Sequence, residues 1–292
     1  MNFILSPAPL PPIPEFQVYN PRVALSRRLP DQNQLSVVVA TILLAYASLP
    51  YIALPRREIV LPLPGIVFTV QFGAETVIGL LVAGLTGSGT YWILKGHPQA
   101  RGRQIFQHLI LPGLTALVIG LPLGALEISP AWWLVFIAGG LVLLLVIMAE
   151  YITLDPEDIR QPAAAGFLTA VAYAIFLLLV IDNFTSGTRL FILLPVIFTA
   201  AWLVSLRVLH ERLGGRWMIP QAAVVAIITA QLASAFHYLP LSRLAAGLLC
   251  VGPAYALTQL ISNLNQGQGV SQAVVEPVVS LSIIFVIALW IQ

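Results

Sequence analysis

Four carboxylates fall within nine residues, at Glu150, Asp155, Glu157 and Asp158, and Arg160 stands two positions after the last. Carboxylates at this density offer two chemistries: oxygen ligation of a divalent cation, or acid–base work beside a fixed positive charge. Cation binding is poorly served, because a calcium loop wants alternating acidic ligands around a glycine turn and this segment has neither. The residue order favours a structural role instead. Asp155-Pro156-Glu157-Asp158 reads as a helix start, with Asp155 as N-cap, Pro156 at the first helical position and acids near the positive end of the dipole. A second group is Arg207, Arg212 and Arg216, followed by Trp217, a pattern suited to anionic lipid head groups and the membrane interface. Gly214-Gly215 between them is an ordinary helix stop. Were these arginines and the acidic cluster to converge on one cleft, they would make an acid–base site for a lipid-linked substrate.

Other polar residues stand inside apolar runs. Glu75 and Glu276 each lie about one turn into such a run. An ionisable group in hydrocarbon costs at least about 2.5–3.5 kcal/mol, so each is a candidate proton or cation site, weighed against placement at a helix start. They fall at opposite ends of their runs and do not form one acid–base pair. Gln231, Tyr255, Thr258 and Gln259 put polar groups into two further runs. Tyr255 and Gln259 are four apart and share a helical face, and Gly252-Pro253 should kink that helix. These four are the candidates for an internal binding site, the alternative being hydrogen bonds between helices. The histidines are His97, His108, His210 and His237, with no HExxH spacing, and only His108 and His210 could reach similar depth. The single cysteine, Cys250, permits no intramolecular disulfide or CxxC pair. No cofactor or metal is expected.

The elements that position these residues follow from composition. Hydrophobic residues are 59% of the 292 and charged residues 9%, where a soluble domain carries about 25% charge. Such a chain cannot cover a globule with polar surface, which excludes a soluble enzyme and a disordered chain. A net charge of +2 offers no basic patch for nucleic acid. The solvent partner is the lipid bilayer. Spanning it takes about 20 apolar residues, and nine stretches qualify: 34–53, 72–94, 104–125, 130–150, 163–182, 188–208, 217–236, 241–263 and 273–292. The first and last are weakest, which leaves eight as the alternative. Ten of the 14 basic residues fall on the N-terminal side of this arrangement. By the positive-inside rule the N-terminus is cytoplasmic and the C-terminus outside. No charge sits at the centre of a span.

Two segments stand apart. Residues 1–33, with five prolines between Pro7 and Pro14, read as a Pro-rich flexible cytoplasmic tail ahead of a polytopic domain over 34–292. Arg57 to Gly73 reads as two short strands about Pro64-Gly65, a small hairpin on the outer face.

Trp132-Trp133, Ala149-Glu150-Tyr151 with Asp155-Pro156, His237-Tyr238-Leu239-Pro240-Leu241 and Gly252-Pro253-Ala254-Tyr255-Ala256-Leu257 together resemble a family of uncharacterised bacterial multi-spanning integral membrane proteins, over most of the chain after residue 34. The resemblance implies a bacterial inner membrane and one polytopic domain. It carries no activity, so it assigns no catalytic or binding residue.

The expected fold is an all-α polytopic transmembrane bundle. Short loops and the lack of buried charge favour a non-enzymatic scaffold, regulator or subunit that contacts other membrane proteins. The alternatives are a small-molecule or lipid transporter with a site in spans 7 and 8, and a membrane enzyme acting on lipid-linked substrates.

Overall fold

A computed structural model describes residues 30–52, 57–63, 66–72, 74–100, 105–186 and 189–292. The Pro-rich segment falls almost wholly outside these residues, and so does the side chain of Glu75. Nine helices among the described residues are long and apolar enough to cross a membrane. They are α1 (Gln32–Ser48), α2 (Ala74–Lys95), α3 (Gln107–Ala125), α4 (Pro130–Thr153), α5 (Gln161–Thr185), α6 (Leu190–Arg212), α7 (Ile219–Phe236), α8 (Arg243–Asn265) and α9 (Val270–Trp290). Each overlaps one of the nine stretches read from the sequence, the weak first and last included.

Local signals set several ends. Asp31 caps α1 by accepting from the Asn33 N–H at 2.9 Å, and Ser242 caps α8 by accepting from the Ala245 N–H at 3.2 Å. Pro130 opens α4 behind Ser129, where its missing N–H costs nothing. α6 stops at Gly214 and Gly215, with φ of 62° and 89°, backbone that glycine adopts without a Cβ penalty. The Gly215 N–H returns to the His210 carbonyl at 2.9 Å and closes the turn.

One expected start is corrected. Asp155-Pro156 does not open a helix; α5 begins at Gln161, with Pro162 in its first turn. Asp155 Oδ1 accepts from the Glu157 N–H at 3.1 Å, and Asp158 Oδ1 from the Arg160 N–H at 2.9 Å. Short acidic side chains that bond their own backbone two residues on compete with the helix. Here they hold a turned connection instead.

β1 (Arg57–Leu63) and β2 (Ile66–Phe72) form the antiparallel hairpin expected, in register from Arg57 opposite Phe72 to Leu63 opposite Ile66.

Short connections make consecutive helices antiparallel neighbours. Two large apolar clusters result, one over α1–α4 and the other over α3–α8. α8 is the most buried helix and packs against α5, α6, α7 and α9, whereas α9 leans on α8 with most of its surface exposed. Glycine permits close approaches: a Cβ on Gly139 would lie 2.6 Å from Ile119 Cγ2, and one on Gly140 2.7 Å from Leu43 Cδ2. The ends of α2, α4, α6 and α8 gather at one face with the starts of α3, α5, α7 and α9. This face, which also carries the start of α1, holds the functional candidates.

Candidate functional site

The last turns of α4 place Glu150 toward the bundle, with 0% of its surface exposed. A carboxylate so buried must be neutralised or fully hydrogen-bonded. Both needs are met by neighbouring helices. Arg207 on α6, 3% exposed, grips both carboxylate oxygens, Nε to Oε1 at 3.2 Å and Nη2 to Oε2 at 2.7 Å, the side-on bidentate fork that arginine alone supplies. His108, at the start of α3, places Nδ1 2.6 Å from Oε2. That contact fixes the ring through Nδ1 and leaves Nε2 free of Glu150.

The network continues outward. Arg207 Nη1 donates to Glu211 Oε2 at 2.8 Å, one turn further along α6, and Gln161 Nε2 at the start of α5 donates to Glu211 Oε1 at 3.3 Å. Four helices are thus tied together by one arginine and two carboxylates. This corrects the expectation that buried charge is lacking. Neither charge is at mid-span, but both are sealed from water near the bundle face.

Above the network lies a cavity of about 630 Å³, lined among others by Gln107, His108, Gln161, His210, Glu211 and Trp217. Its volume falls within the range of small-molecule sites. His210 is 5% exposed and its ring centroid lies 4.7 Å from that of Trp217. His210 Nδ1 and Gln107 Oε1 are buried and make no hydrogen bond. An unpaired buried polar atom costs about 1–3 kcal/mol, and two of them sit on the wall of one polar cavity. Gly214 and Gly215 complete that wall.

A second cavity, about 460 Å³, shares Gln161 and Glu211 with the first and runs along α5 past Gly166, Thr169 and Tyr173 toward Tyr255 on α8. Arg212 stands at its polar end.

The residues singled out from sequence are distributed as follows. Of the four carboxylates, only Glu150 joins the network. Asp158 is buried and pairs with Arg160 at 2.9 Å, an interaction that raises the Arg160 pKa above its ordinary value. Asp155 is half-buried on the connection, and Glu157 is exposed. Arg207 is held inside, Arg212 lines the second cavity, and Arg216 is exposed. The four polar residues of spans 7 and 8 do not share a cavity. Gln231 is exposed in a shallow apolar depression beside Leu194 and Phe198. Tyr255 meets Tyr173 edge-on at 5.2 Å. Thr258 donates to the Ala254 carbonyl at 2.7 Å and meets Ser205 Oγ at 3.3 Å. Gln259 Nε2 donates to Glu276 Oε1 at 2.6 Å, which joins two residues the sequence had put in separate roles. No group of three or more His, Cys, Asp or Glu among the described residues is arranged to hold a metal ion.

Sequence reasoning passed over Gln107, Gln161 and Glu211. Glu211 had a signal, since Arg207 and Glu211 are an i,i+4 pair. Nothing local marks Gln107 or Gln161, which matter only because α3 and α5 start at the same face.

Among the described residues, nine helices of membrane-spanning character enclose a buried, ion-paired acid–base network beneath a polar cavity at one face. The chain belongs to a family described as "Protein of unknown function (DUF5656)", whose model matches residues 54–291. No curated protein and no solved structure matches it.

Proposed function

We propose that this protein is a multi-pass bacterial inner-membrane protein, N-terminus cytoplasmic, that binds a polar small molecule or head group in the cavity between α3, α5 and α6. The observation that carries the reading is the buried, unpaired Nδ1 of His210 on the wall of a cavity of ligand size. A scaffold would have no use for that cost, nor for a sealed Glu150–Arg207 pair, which apolar residues of similar volume replace without loss in many proteins. The scaffold reading rested on short loops and on an absence of buried charge, and only the loops remain. The predicted excess of basic residues on this face supports the cytoplasmic orientation.

A second reading is acid–base chemistry on the bound molecule. It is favoured by the His108–Glu150 contact, in which a carboxylate fixes the imidazole and leaves Nε2 as a base.

The test is a thermal-shift screen of polyols, sugars and amines on the full chain in lipid nanodiscs. A compound that stabilises the wild type and loses at least tenfold in affinity in His210→Ala supports the binding reading. Equal stabilisation of both proteins by every active compound refutes it. His108→Gln separates the readings: retained binding with lost conversion assigns His108 to chemistry, and loss of both assigns it to binding.

A further inference from the structure

We propose that the ligand is a membrane amphiphile, with a hydroxyl-rich head in the cavity beneath Trp217, a phosphate at Arg212 and a hydrocarbon chain along the α5–α8 groove. This rests on the cavity being a binding site and goes further by naming what enters it.

The three parts follow from the wall chemistry. Among the described residues that line the polar cavity, Glu211 is the one carboxylate and none is arginine or lysine, while Glu150 and Arg207 lie sealed behind that wall. An anion is repelled there, while groups that donate hydrogen bonds are welcomed. Gln107 Oε1 is an acceptor without a donor and His210 Nδ1 is unpaired. Trp217 adds an aromatic face beside them. Hydroxyls of a sugar or cyclitol meet all three.

The shared wall of Gln161 and Glu211 leads from this cavity into the second. There stands Arg212, which makes no ion pair among the described residues. Its planar fork matches a phosphate ester. Beyond Arg212 the walls turn apolar and small. Ala165, Gly166, Thr169, Ala170 and Tyr173 lie on one face of α5, and a Cβ on Gly166 would meet nothing within 4 Å. Twelve residues separate Gln161 from Tyr173, about 18 Å of helix. That reaches from the bundle face to about the middle of a hydrocarbon core about 30 Å thick. Polar head, linker charge and apolar channel are therefore in the order, and at the depths, of a phospholipid standing in its own leaflet.

The test uses the full chain in nanodiscs, with phosphatidylinositol carrying a diazirine on its acyl chain, and soluble inositol 1-phosphate as the head alone. The expected result is photolabel on residues 165–173 and around Tyr255, competed by unlabelled phosphatidylinositol and not by phosphatidic acid, which lacks the hydroxylated head. Gly166→Leu/Ala170→Leu should cut that label about tenfold while leaving stabilisation by inositol 1-phosphate unchanged. Arg212→Gln should weaken both probes by about tenfold, one charge-assisted contact. Label spread over all lipid-exposed helices, or unaffected by the groove variant while inositol 1-phosphate still binds, overturns the amphiphile and leaves the cavity reading standing. Absence of any inositol 1-phosphate effect on the wild type, with label in the groove, overturns the head-group assignment to the cavity.

Discussion

Replacing Glu150 with glutamine keeps the shape of the side chain and removes one charge from the sealed network. The carboxylate now accepts three contacts, from His108 Nδ1, Arg207 Nη2 and Arg207 Nε. A glutamine amide can accept on one oxygen only, and its NH2 must face a donor, Nδ1–H or the guanidinium. Removing one partner of a buried pair costs about 3–5 kcal/mol. Arg207 keeps Glu211, so its charge is not stranded, and the expected cost is at the lower end, about 3 kcal/mol. Arg207→Gln leaves Glu150 with His108 alone in a fully buried place, at about 4–5 kcal/mol. The double variant Glu150→Met/Arg207→Leu removes both charges and fills the space with apolar atoms. It should cost less than about 2 kcal/mol, well below the sum of the single changes. Equilibrium unfolding in mixed micelles measures all three. The same double variant should fold and yet lose binding in the cavity, because Glu211 and His108 lose the partners that orient them. Single changes that cost under about 1 kcal/mol, or costs that add in the double variant, would show that Glu150 and Arg207 are not a coupled buried pair.

Further outcomes follow from other parts of the bundle. Gly139→Ala should lose about 1–3 kcal/mol by forcing a methyl against Ile119, with partial recovery in Gly139→Ala/Ile119→Ala; a neutral effect of the single change contradicts the close packing. Gly166→Ala, which meets open space, should instead gain about 0.5–1 kcal/mol from lower chain entropy in the unfolded state, read by the same unfolding curves. Trp132→Phe removes the hydrogen bond from Nε1 to the Leu123 carbonyl, 3.1 Å, and should cost about 1 kcal/mol. Glu276→Gln keeps a partner for Gln259 while removing a charge about 9 Å from the helix start. We expect stability unchanged or raised by up to about 1 kcal/mol, and a loss above 1 kcal/mol would assign that carboxylate a structural ion pair.

Helix number and placement were legible in the sequence because apolar run length is a local property, and even the weakly delimited α1 and α9 have it. The hairpin was legible for the same reason, as two β-rich runs flank Pro64-Gly65. The Asp155 segment was misread because two physical demands share one signature: acids that cap a helix also bond their own backbone in turns. At the site, Glu150 was singled out for its neighbours in sequence, Asp155 to Asp158, yet its real partners are 42 and 57 residues away. Pairing over such separations depends on which helices touch, and apolar patterning in a bundle leaves that open. His210 shows the limit most clearly. Its residue type suggested only similar depth to His108; its unpaired nitrogen exists because α3, α5 and α6 leave a space beside it.

Occupancy of the cavity is seen most directly in a high-resolution structure of the protein extracted with its own lipids into a polymer nanodisc. Ordered non-protein density is expected to fill the cavity, within about 3 Å of His210 Nδ1 and Gln107 Oε1, and to run on past Arg212 along α5. A cavity holding only water, or closed by its own side chains so that both atoms find protein partners, would contradict it.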